Sequence, residues 1–225
     1  MKQEEPVRKV RCPHCGQISS YKVPASINGT LQPLLRQAIL EETLFDWQCP
    51  HCEGQARLFY PFVYHDMRRR LLIDLAAGSR QASVDAAALS NAFPALEQYT
   101  TRWVRSLTAL KEKIMIFEHG LDDGAMELTK LALMQMVQRR EHCSLKAGYW
   151  EAFQKAQAQD RLFFAFLTPE GEVLRRSVHR SAYEKSLEIA RHFPTLAAGF
   201  PLVSKRWAVA VMQEYRATQD SGKQA

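Results

Sequence analysis

The chain has no long apolar run. No stretch of its 225 residues approaches the roughly 18 uncharged apolar residues that a membrane-spanning helix needs. The first ten residues, MKQEEPVRKV, lack the apolar segment of a secretory signal. These two absences predict a cytoplasmic protein with no membrane partner. Also missing are a P-loop, a G-x-G-x-x-G, an H-E-x-x-H and a G-x-S-x-G. An enzyme reading is thereby left without a motif to rest on. Nor is there a Lys/Arg run of five. The formal charge of +6 comes from small groups: Arg68, Arg69 and Arg70; Arg139 and Arg140; Arg175, Arg176 and Arg180; Lys205 and Arg206. This modest excess keeps nucleic acid as an alternative partner and does not single it out.

Cysteine is scarce as well, with five in the chain at 12, 15, 49, 52 and 143. Four of them stand as two C-x2-C pairs, in VRCPHCGQIS and WQCPHCEGQA. In a reducing compartment such pairs favour metal binding over a disulfide framework. C-P-H-C is also an active-site tetrapeptide of thioredoxin-like oxidases, where a buried strand precedes it and a helix whose dipole activates the first thiol follows. Neither copy has that context. GQISSYKVPAS follows Cys15 and EGQARLFYPFVYH follows Cys52, and both read as a turn into a strand. Two knuckles instead supply four thiolates in tetrahedral positions. Pro after the first Cys sets the turn, and Gly16 or Gly54 permits positive φ on leaving it. Cys12, Cys15, Cys49 and Cys52 are therefore expected to hold one structural Zn²⁺. Fe²⁺ remains open, because a rubredoxin-like site uses the same ligands. The 33 residues between Cys15 and Cys49 exceed the usual ribbon spacing and leave room for strands and a short helix. His14 and His51, inside the knuckles, are expected to point at solvent.

Strands are expected at 6–11, 17–23, 44–49, 56–65, 68–76 and 99–106, with Pro61 marking an edge or a bulge. A helix should run from Pro33 with Leu34, Leu35, Ala38 and Ile39 on one face. The Ala/Ser-rich stretch 78–98 reads as a loop with one short helix. Ser106 should cap a helix that Gly120 stops, and Asp122 should open the next, with Met126, Leu128, Leu131, Leu133, Met134 and Val137 as core positions. Residues 140–160 show no clear period. Beyond them RLFFAFLT-PEG-EVLRRSVH reads as a β-hairpin, followed by a helix with a Ser181/Glu184 capping box and by a last helix. The expected fold is α+β: a small antiparallel zinc-ribbon-like sheet with packed helices, plus a smaller hairpin-and-helices unit. The expected domains are a metal-binding one over 1–140, a C-terminal unit over 155–216 and a disordered tail at 217–225.

The two C-P-x-C knuckles, with YPFVYHDM (60–67) and VRSLTALKEKIMIFEHGLDD (104–123), resemble the CpXC family of bacteria and archaea. The likeness covers residues 8–137. It implies that Cys12, Cys15, Cys49 and Cys52 match the four cysteines of that family, and it implies no activity.

Other chemistry-bearing residues have bland explanations. His65 could act as a general base, but Asp66 beside it points to the opposite face of a strand, so the two form no dyad. Glu118, His119, Asp122 and Asp123 read as helix caps and dipole complements. Cys143, next to His142, reads as an inert thiol. Arg57, Phe59, Tyr60, Trp103, Arg102 and Arg105 could supply a basic, aromatic-bearing nucleic-acid face, but the aromatics read more simply as the core of the sheet with the arginines flanking it. The expected function is non-enzymatic: a cytoplasmic module with a structural four-cysteine zinc site that binds a protein partner. A nucleic-acid-binding regulator is the alternative, an enzyme using His65 is the weakest reading, and the oligomeric state is open.

Overall fold

The computed structural model describes residues 7–76, 85–154, 160–193 and 199–221. They form two compact units. One holds the described residues up to Lys111 together with Gly199 and Phe200, and the other holds the rest.

In the first unit β1 (Val7–Arg11) and β2 (Ile18–Lys22) make a two-stranded antiparallel ribbon around the first knuckle. β3 (Ser26–Asn28), α1 (Pro33–Leu40) and a 3-10 turn follow. Then β4 (Asp46–Gln48) and β5 (Gln55–Arg57) make a second ribbon around the second knuckle. β6 (Phe62–Asp66), β7 (Leu71–Leu75), α2 (Ala86–Ala92) and β8 (Thr100–Val104) complete the unit. A four-stranded sheet has the order β3-β6-β7-β8, antiparallel at its centre and parallel at both outer pairs. All five residues of β7 are buried, as expected of a central strand covered on both faces.

The expected strand 56–65 is in fact two strands in different sheets, β5 and β6. The chain leaves the ladder at Leu58 and re-enters after Pro61, whose nitrogen has no hydrogen to donate. Tyr60 and Phe62 turn inward there and meet Phe45 at ring distances of 5.2 and 6.1 Å. The expected apolar face of α1 is also only half used. Ile39 is fully buried, whereas Leu34 is 84% exposed. Of the segment read as a loop, 78–84 lies outside the described residues, and α2 supplies the short helix, capped by the Asp85 carboxylate.

The chain passes to the second unit within α3 (Leu107–Glu118), whose first turn is capped by the Ser106 hydroxyl accepting from the Ala109 amide at 3.2 Å. Gly120 stops the helix at φ +66°, and Asp122 caps α4 (Asp123–Glu141), accepting from Ala125 at 2.7 Å. Both caps stand where the sequence placed them.

α4 is not the one-faced helix its periodicity suggested. Asp123 through Leu131 are all buried, so its first turns are covered on every side. The cover comes from α5 (Arg180–His192), α6 (Lys205–Ser221) and the sheet of β9 (Ala147–Gln154), β10 (Arg161–Leu167) and β11 (Val173–His179), in the order β11-β10-β9. β9 occupies the segment that showed no period. Only Trp150 of its eight residues is buried, and its register slips opposite Phe163 and Phe164, which erases the alternation. β10 and β11 form the expected hairpin, turning through Gly171 at φ +93°. The expected capping box is absent, since α5 begins at Arg180 without a side-chain cap and Glu184 accepts from Arg180 Nε instead. α6 runs to Ser221, into the tail expected to be disordered from 217, and the remaining 222–225 lie outside the described residues.

Candidate metal centre

Each knuckle is a tight turn at the end of a ribbon, and the two turns match atom for atom. The Cys12 amide donates to the Gln17 carbonyl and the Gly16 amide to the Cys12 carbonyl, at 2.9 and 3.0 Å. In the second knuckle Cys49 donates to Gly54 and Glu53 to Cys49, at 3.0 and 2.9 Å. The His14 amide donates to Cys12 Sγ at 3.3 Å, and the His51 amide to Cys49 Sγ at 3.5 Å. Amides aimed at sulfur stabilise the thiolate.

Positive φ falls four residues after the first cysteine in both turns, at Gly16 (+74°) and at Glu53 (+58°). The expected Gly54 has a different task. A Cβ there would stand 2.6 Å from the imidazole of His14, whose Nε2 lies 3.0 Å from the Gln55 carbonyl. His14 is exposed, as expected, yet it is not idle. It bridges the first knuckle to the second. His51 is exposed, as expected.

The four sulfurs converge. Cys12 Sγ lies 3.7 Å from Cys52 Sγ and Cys15 Sγ 3.8 Å from Cys49 Sγ, with all four within 4.8 Å of one another. A tetrahedral ion with metal–sulfur bonds of about 2.3 Å holds its sulfurs about 3.8 Å apart. A disulfide would need about 2.05 Å. Among the described residues this is the one cluster of His, Cys, Asp or Glu atoms with such convergence. Cys12 and Cys49 are buried against Trp47, with Val10, Tyr21, Ala56 and Leu58 packed around them, while Cys15 and Cys52 face outward.

The electrostatics are those of a site built for a cation. Burial raises the Cys12 thiol, but the amides of Cys15 and His14 and the thiols of Cys49 and Cys15 outweigh it and bring it from 9.0 to about 6. Cys52 goes the other way. The Gly54 amide lowers it, yet desolvation and its three sulfur neighbours push it up to about 12. Four thiolates this close cannot coexist without a positive charge among them. Cysteine donors suit Zn²⁺ or Fe²⁺, and four of them leave no open position.

The other candidates are not members of this cluster. His65 Nε2 lies 3.2 Å from the Tyr99 hydroxyl, with the rings 5.3 Å apart, and burial lowers its pKa more than Asp66 raises it. Asp66, on the inner face of β6, accepts from Thr30 Oγ1, from the Arg69 amide and from Arg69 Nη1 at 3.2, 3.0 and 2.8 Å. Arg57 and Trp103 belong to different sheets, so the expected basic and aromatic face is not continuous, and Arg57 is engaged with Glu42 and Asp46. Cys143 packs against the core of the second unit.

Beyond its cap, the expected helix-turn cluster contains a buried ionic arrangement. Lys113 Nζ lies 2.7 Å from Asp123, and Lys130 Nζ lies 2.9 Å from both Glu112 and Glu127. Nothing in the hydrophobic pattern announced it, although Glu and Lys three apart (127 and 130) was a readable hint.

The family model described as CpXC protein matches residues 10–130, more than half of the chain. The chain belongs to the CpXC family. The match spans both C-P-x-C knuckles, the four-stranded sheet, α3 and the first half of α4, and so covers every residue of the four-sulfur cluster. No curated protein and no solved structure matches this CpXC chain. No helix among its described residues is long and apolar enough to cross a membrane.

Proposed function

We propose that Cys12, Cys15, Cys49 and Cys52 bind one Zn²⁺ as a structural ion, and that the chain is a non-enzymatic binding module of the cytoplasm whose partner is a protein. The convergence of the four sulfurs at tetrahedral spacing carries the first part of this reading. All four positions are protein thiolates, so the ion has no place for water or substrate and serves to tie two short ribbons that could not hold each other by apolar burial alone. The protein-partner reading is supported by apolar side chains left in water around the β3–α1 turn and the end of β6. Leu31, Leu34 and Met67 are 71%, 84% and 47% exposed, and Thr30 and Met67 are joined by a 3.0 Å hydrogen bond. Exposed apolar side chains gathered in an ordered region mark interaction surfaces.

Native and denaturing mass spectrometry of protein expressed without added metal tests the site. One zinc per chain, lost on denaturation with four free thiols, is the expected result. A coloured iron–thiolate protein would replace zinc by iron. A metal-free chain lighter by two hydrogens for each pair of cysteines would mean disulfides and overturn the reading. Affinity purification from the host, with and without nuclease, tests the partner. A protein that survives nuclease and is lost with Leu34→Asp supports the module. Capture abolished by nuclease sinks it.

A further inference from the structure

We infer that the outer face of the β1–β2 ribbon is a docking surface for duplex DNA. The register puts Val7 opposite Lys22, Lys9 opposite Ser20 and Arg11 opposite Ile18, so these six side chains share one face. All six are exposed. On the opposite face Val10 and Tyr21 pack against the cysteine cluster and Ser19 is buried, while Arg8 at its end is exposed. The outer face therefore carries three cations and no carboxylate. Among the described residues no ion pair engages Lys9, Arg11 or Lys22, so their charges share one face without a partnering carboxylate. Arg11 is held only by the Gly16 carbonyl, at 3.1 Å.

Three uncompensated cations on neighbouring and diagonal positions of one ribbon face repel one another, a cost that a polyanion relieves. The shape selects among polyanions. A two-stranded antiparallel ribbon fits the B-DNA major groove, about 12 Å wide. Single strands are bound on aromatic platforms, and this face has no aromatic residue. The major groove of duplex RNA is too deep and narrow to admit it. Val7 and Ile18, 57% and 51% exposed at the two ends of the face, are placed for apolar contact with thymine methyl groups. This surface is separate from the apolar one assigned to a protein partner. The inference goes beyond that reading and can fail without it.

The test is fluorescence anisotropy of a labelled 25-base-pair duplex with the metal-loaded full chain, which includes Glu4 and Glu5 upstream of the ribbon. The parent is compared with Lys9→Ala/Lys22→Ala from 50 to 200 mM KCl. Both lysines are exposed and outside the knuckles, so metal content and melting temperature should match the parent. The double variant is expected to bind at least tenfold more weakly at low salt. Its slope of log affinity against log salt should be shallower by about 1.8, because each phosphate contact contributes about 0.9. Equal binding by parent and variant would overturn the inference. So would tighter binding of a single strand of the same length. Polyglutamate bound as tightly as the duplex would assign the face to an acidic protein instead.

Discussion

Asp66 is 3% exposed, and burial alone would raise its pKa. The Arg69 amide and guanidinium and the Thr30 hydroxyl outweigh that and hold it below the ordinary 3.8. A carboxylate depressed in the folded state contributes stability that is complete above its unfolded value and is lost as pH falls through the folded one. Wild type should therefore melt above Asp66→Asn by a constant margin from neutral pH down to about pH 4, and the margin should close below that. A margin that persisted at pH 2 would mean that Asp66 acts through packing alone. Lys113 and Asp123, 3% and 0% exposed, pose the reverse problem of two charges sunk in an apolar core. Lys113→Ala should cost about 3–5 kcal/mol in urea unfolding, because it removes the ammonium from a buried carboxylate. Lys113→Met with Asp123→Leu should recover most of that loss, since an apolar pair of similar volume avoids the desolvation of both ions. Lys130 is held above the ordinary lysine value by Glu112 and Glu127 against the opposite pull of burial, so its contribution persists at every physiological pH and fades only in strong alkali.

The two ribbons are too short to stand alone, so the turns carry what the strands cannot. Glu53 sits at φ +58°, where a side chain is strained, and the matching residue of the first knuckle is Gly16. Glu53→Gly should raise the melting temperature of the metal-loaded protein by a few degrees, for a gain of about 1 kcal/mol. Gly54→Ala should do the opposite and weaken metal retention against a chelator, because its Cβ meets the His14 ring at 2.6 Å and forces the two knuckles apart. If Gly54→Ala kept its metal as the parent does, His14 would not be the bridge described. The cysteines were legible in the sequence because a knuckle is local chemistry: two ligands, a proline and a turn within four residues. The role of Gly54 was not, because it depends on a residue 40 positions earlier. The caps at Ser106 and Asp122 were legible for the same local reason. β9 was hidden by its bulge and by burying only Trp150, and the split of 56–65 by the fact that β5 and β6 are both extended but join different sheets. The exposure of Leu34 breaks the rule that an apolar helical stripe faces inward, and such breaks concentrate where a protein meets something else.

Each unit has a core of its own kind. In the second, Trp150, Leu162, Phe164 and Phe166 of the sheet pack with α4, α5 and α6 in one continuous apolar cluster. In the first, the ribbons rest on a small cluster of Trp47 with Cys12 and Cys49, far too little apolar surface to order two strand pairs. The ribbons' stability must come largely from the ion, since binding free energy at such a site is folding free energy, about 10–16 kcal/mol for structural zinc in small domains. The four-stranded sheet of the same unit, by contrast, buries Ile27, Phe45, Phe62, Tyr64, Ile73 and Leu75 on its own account. Chelation, or Cys49→Ser, should therefore unfold the two ribbons and spare the core of the second unit. Differential scanning calorimetry of the metal-loaded protein should show a contribution from the ribbons that the metal-free protein lacks, while the contribution of the α4 core stays at its original temperature. Near-ultraviolet circular dichroism should follow suit, with the signal of Trp47 lost and that of Trp150 and Trp207 kept. Metal-free protein that melted as a single unchanged transition would show the four thiols to be dispensable. One that unfolded entirely would show the α4 core to depend on the knuckles, which its separate apolar cluster argues against.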